Sequence, residues 1–359
     1  MKRSANVILY LAIPALSTMS GCLDVNVRTT VSSDGSSVRV VSMKLDSRNV
    51  PESAFPVTAD STWRVEWKET GDKEGKFEYI ATKKFGSPDD LQREYSSRPD
   101  TGAIGLNVSL HKRFEWFYTY FEYREAYTRH NIFNNVPVSD YLSQDEINRY
   151  LHGEESDSLK AKVKMWDDRN LFEEFFRPLL AEARRRNDPA LSPALLLEKK
   201  NEMFLRVMAA EDEHKGGGNK KTDSTKHDAT IDVALRTLAD VLHTRAILSL
   251  RPVADQAWAS IVEKLDKDKH PDTWTCSLQM PGLLLSTNSD QVDGNLVSWK
   301  FTADQIRVGE YVMQASSRTT NVWAFVVTGA AALLVILMAI LALLRRRTMA
   351  SARQAPSGV

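Results

Sequence analysis

Cysteine is nearly absent from this 359-residue chain, which has only Cys22 and Cys276. That excludes a disulfide framework: at most one bridge is possible, and none if Cys22 is modified. Net charge is absent too, with 47 basic residues against 47 acidic ones, so the strong basic field that draws a protein to nucleic acid is missing. Acidic residues are missing from both ends, 1–22 and 321–359, while six basic ones lie there. The middle of the chain therefore carries 41 basic against 47 acidic groups, a net of −6.

Recognisable catalytic patterns are also lacking. There is no GxSxG, Walker-type or GxGxxG run. The seven histidines show no HxxxH or HxH spacing, and there is no CxxC. Gly216-Gly217-Gly218 has no strand before it and no helix after it, so it reads as linker. His270-Pro271-Asp272 matches the J-domain tripeptide, but strand-like sequence from Trp274 stands where that domain needs its second helix. These absences predict a protein that is not an enzyme and has no metal and no cofactor.

What is present sits first at the two ends. Lys2 and Arg3 precede the apolar stretch Val7–Leu16, which is too short to span a bilayer and of the right length for a signal peptide. Ser20 and Gly21 then lead to Cys22, the pattern of a lipoprotein leader over 1–21, with Cys22 the residue that accepts lipid. At the other end, Trp323–Leu344 is 22 residues with no charge and no proline. As a helix it is about 33 Å long, enough for a hydrocarbon core of about 30 Å. Trp323 and Phe325 supply an aromatic belt on one side, and Arg345, Arg346 and Arg347 a positive flank on the other. The charge pattern predicts a single-pass protein of the bacterial inner membrane. Its main domain and lipidated N-terminus lie outside, and its tail of residues 345–359 lies in the cytoplasm.

Between the anchors the pattern runs β, then α, then β. Val25, Val27 and Thr29 alternate, Ser32–Ser36 is a turn, and Val38, Val40 and Ser42 resume the alternation. Thr62–Trp67 and Lys76–Phe85 are further strands, and Gly105–Arg124 is a long extended stretch. From Ser139 to Lys267 the period is helical. Ser143 and Glu146 have capping-box spacing, and Leu159, Val163, Trp166, Phe172, Phe175, Phe176 and Leu179 suit the inner face of one helix. Pro193–Met208 gives another helix, with Leu195, Leu196, Leu197, Phe204 and Leu205 apolar. Residues 211–225 read as a mobile linker, and Ile231–Leu265 is helix broken ahead of Pro252. Trp274–Met280, Val297–Phe301 and Arg307–Ala315 return to strand.

The expected fold class is α+β. Residues 22–138 and 268–320 form one antiparallel β domain, residues 139–267 a helical insertion, and residues 323–344 a transmembrane helix. Because both anchors lie close to the outermost strands, residues 24–30 and 307–315 are expected to be antiparallel neighbours against one bilayer face, with the helices pointing away.

The aromatic run Phe114, Trp116, Phe117, Tyr118, Tyr120 and Phe121 is the candidate site outside the membrane. As one strand it places Phe114, Trp116, Tyr118 and Tyr120 on one face and Phe117, Phe121 and Tyr123 on the other. Either both faces are covered, the second by Trp166, Phe172 and Phe176 of the insertion, or an aromatic groove near the bilayer takes an acyl chain or an amphipathic partner. Cys276, in an alternating run, reads as a small buried hydrophobe.

Met280-Pro281-Gly282, Ser286-Thr287-Asn288, Val292-Asp293-Gly294-Asn295 and Val297-Ser298-Trp299-Lys300-Phe301 form a recognisable series. It resembles the closing segment of LppM-like bacterial lipoprotein domains. Their lipobox, early hairpin with a Ser-Asp-Gly turn and C-terminal span have counterparts here. The resemblance covers Asp24–Leu45 and Trp274–Ala315, roughly a fifth of the chain, and the long insertion departs from the family pattern. It implies an α+β envelope domain that contacts lipid or glycolipid, and no catalytic residue. Two readings follow: an envelope lipoprotein that binds a lipid or other envelope component at the bilayer surface, or a scaffold whose helical insertion docks a membrane or periplasmic protein.

Overall fold

The computed structural model describes residues 24–48, 62–72, 75–96, 104–129, 131–154, 156–215, 223–267 and 273–352. The leader and Cys22 lie outside these residues, as do 353–359 of the tail, the triple glycine and His270-Pro271-Asp272.

Strands β1 (Asp24–Val31) and β2 (Ser37–Leu45) form the hairpin that the alternation predicts, with Val25, Val27, Val31, Val41, Met43 and Leu45 turned inward. Gly35 sits at φ +94° in the turn, where a Cβ would be strained. After β3 (Arg64–Asp72) and β4 (Gly75–Phe85), a short helix α1 (Pro88–Ser96) buries Leu91 and Tyr95. The stretch expected to be one long extended segment is two strands, β5 (Ile104–Phe114) and β6 (Tyr118–Arg129). The chain reverses at Trp116-Phe117, where Glu115 and Tyr118 exchange backbone hydrogen bonds of 2.8 and 3.2 Å. No Gly or Asn marks that turn, so the sequence carries no hairpin signal there.

The helices α2 (Gln144–Leu151), α3 (Asp157–Arg186), α4 (Pro193–Lys215), α5 (Asp223–Leu242) and α6 (Arg251–Lys267) lie between β6 and the last strands. The Ser143–Glu146 capping box forms in both directions. Ser156 caps α3, which ends on Asn187 in the left-handed conformation with Arg184, Arg185 and Arg186 in its last turn, a favourable place for positive charge. Phe172, Phe176, Leu179, Leu196, Phe204, Leu235, Leu238 and Ile261 pack into the module's own core. Leu197 and Leu205 do not join it; they are exposed on α4. Helix enters the expected linker from both sides, to Lys215 and from Asp223. The break ahead of Pro252 occurs as a left-handed His243 and a 3-10 turn at Arg245–Leu250.

The chain returns to β7 (Thr273–Gln279), β8 (Leu283–Thr287), β9 (Gln291–Asp293), β10 (Leu296–Thr302) and β11 (Tyr311–Thr320), then enters α7 (Val322–Ala352). Two sheets result, ordered β3-β4-β2-β1-β7-β10-β9 and β5-β6-β11-β8. Every pairing is antiparallel except β1 with β7. The sheets share one core, in which Phe301 stacks on Trp274 at 5.5 Å and on Tyr311 at 4.3 Å and meets Tyr127 at 4.9 Å. The fold is thus α+β, with largely antiparallel sheets, a helical insertion and one apolar C-terminal helix.

The expected pairing of the first and last strands does not occur. β1 pairs with β2 and β7 in the larger sheet, whereas β11 pairs with β6 and β8 in the smaller one. Short tethers at both ends suggested neighbouring strands. The parallel β1–β7 pairing defeats that inference, because it leaves the two strands free to start and finish at opposite ends of the domain.

Candidate functional site

The domain has two distinct poles. At one, β5 ends at Phe114, β6 begins at Tyr118, β8 begins at Leu283 and β11 ends at Thr320, joined in register by the pairs Phe114–Thr119, Tyr118–Thr320 and Leu283–Arg318. Helix α7 leaves from this pole. The most apolar 18-residue stretch of its segment Val322–Arg345 has a mean hydropathy of 2.8 and is not buried, so by length and composition the helix is able to cross a membrane. Arg345, Arg346 and Arg347 follow that stretch within the same helix.

The joint between β11 and α7 is Asn321. Its backbone N–H donates to the Phe117 carbonyl at 2.9 Å. Its side-chain amide donates to the carbonyls of Glu115 (2.8 Å) and Trp116 (3.3 Å), and its side-chain oxygen accepts from the Thr119 hydroxyl at 3.0 Å. One residue thereby ties the root of the helix to the β5–β6 hairpin. Aromatic rings close around the joint. Phe114 stacks on Trp323 (6.3 Å, 3° between planes), and Trp116 meets Trp323 edge-on at 5.2 Å. Phe117 packs on Phe325 at 4.6 Å, and Tyr118 reaches Phe325 at 6.1 Å. The Trp116 indole N–H donates to the Thr328 hydroxyl at 2.9 Å, so the hairpin tip runs beside the second turn of α7.

Five of the six expected aromatics gather here or just above. Tyr120 lies against Tyr118 at 6.4 Å. Phe121 instead is fully buried between the sheets, as is Tyr123. Phe114 and Trp116 are 58% and 47% exposed, large values for side chains of this size. The helices expected to cover the aromatic strand do not. Phe172 and Phe176 belong to the module's own core, and Trp166 sits with Val163 and Val308 at the junction with the β domain, its indole bonded to the Val136 carbonyl. Exposed Leu283 and Leu285 of β8 extend the apolar surface. Sequence reading missed them along with Asn321. Only Gly282 fits ahead of them, because its φ is +72° and a Cβ would fall 2.3 Å from the Arg318 carbonyl oxygen.

The other pole holds the start of β1. Asp24 pairs with Thr273, beside Trp274, whose ring leads through Phe301 to Tyr311, the first residue of β11. β11 has ten residues, so its two ends are about 30 Å apart. β1 runs toward the tip, and the turn after it is held there by Lys112, whose ammonium donates to the Asp34 carbonyl at 2.7 Å. The helical module attaches at the far pole, where Arg307 pairs with Asp167 and Gly309 touches Ile147 and Leu151.

Between the poles the sandwich interior is filled by side chains and closed by a buried ion pair. Arg39 of β2, 1% exposed, forks onto Glu125 of β6. Tyr123 and Tyr127 donate to the same carboxylate at 2.5 and 2.7 Å, and the Arg39 guanidinium also donates to Thr29 at 3.3 Å. Burial pushes the Glu125 carboxyl up, but the Arg39 charge and these hydrogen bonds outweigh it and leave it below its ordinary value. Burial pushes both tyrosines well up. It also pushes up the Cys276 thiol, which sits 3.6 Å from the Tyr127 hydroxyl and is shielded from solvent. This cluster ties the two sheets together and offers no access to a substrate. Among the described residues, no group of three or more His, Cys, Asp or Glu side chains is placed to hold a metal ion.

No family model matches the chain, and no curated relative matches it. Among solved structures it is similar to the NMR structure of the folded domain of Mycobacterium tuberculosis LppM. The two share 10% identity over 84% of this chain and 91% of that one, with a TM-score of 0.29. At that TM-score the likeness adds nothing to the reading of the site.

Proposed function

We propose that this chain is a non-enzymatic, membrane-anchored envelope protein whose β-hairpin tip lies in the interfacial layer of the bilayer, in contact with lipid. The observation that carries this reading is the docking of the tip on α7. Trp116, Trp323, Phe114 and Phe325 form one aromatic collar around the first two turns of an apolar helix. Aromatic side chains with polar edges favour that layer. The lipid contact is therefore on the outside of the domain, since the space between the sheets is occupied by its own side chains. In this reading the collar faces the extracytoplasmic leaflet of the inner membrane, and Arg345, Arg346 and Arg347 face the cytoplasm.

Full-length protein in vesicles containing brominated lipid tests the reading. Bromine quenches only tryptophans within the bilayer. Trp116→Phe should remove part of the quenchable emission, whereas Trp166→Phe, at the far pole, should remove none. Equal loss from both variants would contradict it.

The scaffold reading has its own support: Leu197 and Leu205 are exposed on α4 of the module that the domain holds away from the tip. In it, the anchor sets the height at which the helices meet a membrane or periplasmic protein. Cys22 remains the proposed lipidation site. Palmitate labelling should disappear in Cys22→Ala while α7 still retains the protein in membranes.

A further inference from the structure

The outer face of the smaller sheet carries a row of three side chains just above the collar. Arg113 of β5 is the register partner of Tyr120 on β6, and Tyr120 is the register partner of Arg318 on β11. Neighbours across strands stand about 5 Å apart, so the backbone positions of Arg113 and Arg318 lie roughly 10 Å apart with Tyr120 between them. Both point outward, because Thr119, Phe121 and Ser317 take the inward positions. Each guanidinium is braced on a tyrosine ring, Arg113 on Tyr120 at 4.9 Å and Arg318 on Tyr118 at 4.6 Å. Bracing on a ring face orients the planar N–H edge for an oxyanion, an edge that Arg113 gives to the Glu115 carboxylate. Arg113 pairs with Glu115; Arg318 has no carboxylate within ion-pair distance among the described residues. Glu122 lies one row further up the same face, opposite His111.

The level of the row identifies its occupant. Arg318 precedes Thr320, the last strand residue, by two positions, and α7 begins two residues later. With Trp323 at the edge of the hydrocarbon, the row falls about 10 Å higher, within reach of the lipid phosphates. We propose that Arg113 and Arg318 bind the phosphate of an anionic phospholipid in the leaflet that α7 enters, Tyr120 lying between them. The proposal rests on the reading that the tip lies in the bilayer, and it adds the headgroup chemistry that the tip selects.

Full-length protein in nanodiscs of phosphatidylcholine with one quarter phosphatidylglycerol provides the test, with the lipids retained on release read by native mass spectrometry. Wild type should retain the two lipids at a phosphatidylglycerol-to-phosphatidylcholine ratio roughly fivefold above that of the bulk bilayer, the order expected from a basic side chain at an anionic surface. Arg113→Gln/Arg318→Gln should retain them at the bulk ratio. Arg124→Gln, further up the same sheet on β6 and paired with Glu310, should behave as wild type. Equal enrichment in wild type and the double variant, or none in wild type, would overturn the proposal. So would loss of the enrichment in millimolar inorganic phosphate, which would make this a site for free phosphate instead. Trp116 quenching by brominated lipid separates the two levels. If quenching persists in the double variant without enrichment in wild type, only the headgroup assignment falls. If wild-type Trp116 is not quenched, the placement of the tip falls with it.

Discussion

Strand β6 spends its aromatic residues in two opposite ways. Toward the tip, Tyr118 and Tyr120 face outward under arginines and beside the root of α7. Further along the strand, Tyr123 and Tyr127 are sealed between the sheets and donate to a buried carboxylate. The tip is open and fastened by a few hydrogen bonds to Asn321, while the interior is closed and fastened by an ion pair that no solvent reaches. The contrast shows that aromatic content alone does not mark a site. What distinguishes the tip is that its rings remain exposed at the point where an apolar helix leaves the domain.

Substitutions in the buried interior should have the largest effect. Arg39→Met or Glu125→Gln alone leaves a charge buried without its partner, and each should cost about 3–5 kcal/mol of stability, read by denaturant unfolding of the full chain. Replacing both with apolar residues should recover much of the loss. The same pair fixes a pH dependence. The folded carboxyl of Glu125 lies below its ordinary value of 4.5, so its contribution is fully present above that value. It is lost as pH falls through the depressed folded value, and Glu125→Gln should flatten this acid limb of the stability curve.

Gly282→Ala tests the junction of the two halves. Its Cβ would meet the Arg318 carbonyl oxygen at 2.3 Å, so either β8 or β11 must shift. The expected cost is about 2 kcal/mol or more, with the apolar surface of Leu283 and Leu285 displaced. Asn321→Ala should cost less, about 1–2 kcal/mol, and act locally. Trp116 emission should shift while global unfolding changes little. Ser143→Ala, which removes a cap in the helical module far from the tip, should cost about 1 kcal/mol and leave tip fluorescence unchanged. A tip that responded to the capping change as strongly as to Asn321→Ala would blur the distinction between the poles.

Much of the fold is legible in the sequence, for physical reasons. Period-two alternation at Val25–Val31 and Trp274–Leu278, the Ser143 capping box and the apolar face of α3 each encode a local choice that the packing then uses. The apolar C-terminal helix is legible by length alone. What escapes local reading is anything decided by distant partners. The reversal at Trp116-Phe117 has no turn residue, because contacts with Asn321, Trp323 and Phe325 hold it. The parallel β1–β7 pairing joins segments about 250 residues apart, and no periodicity announces it. Arg39 and Glu125 look like ordinary surface charges until the two sheets close over them. At the site, the aromatic run is visible from composition, but its division between core and tip depends on that unannounced turn.

In the proposed arrangement the two poles of the β domain stand at different heights above one bilayer. This arrangement is tested most directly by depth measurement on two single-label variants of the full chain, Phe114→Cys at the tip and Lys300→Cys toward the far pole. Both variants carry Cys22→Ala, and Cys276 is buried and does not compete for label. An environment-sensitive fluorophore at residue 114 should emit as in a membrane interface and be quenched by lipid-borne quenchers. At residue 300 it should emit as in water and respond only to aqueous quenchers. Equal quenching of both labels by lipid would mean that the domain lies flat on the bilayer, and would rule this arrangement out.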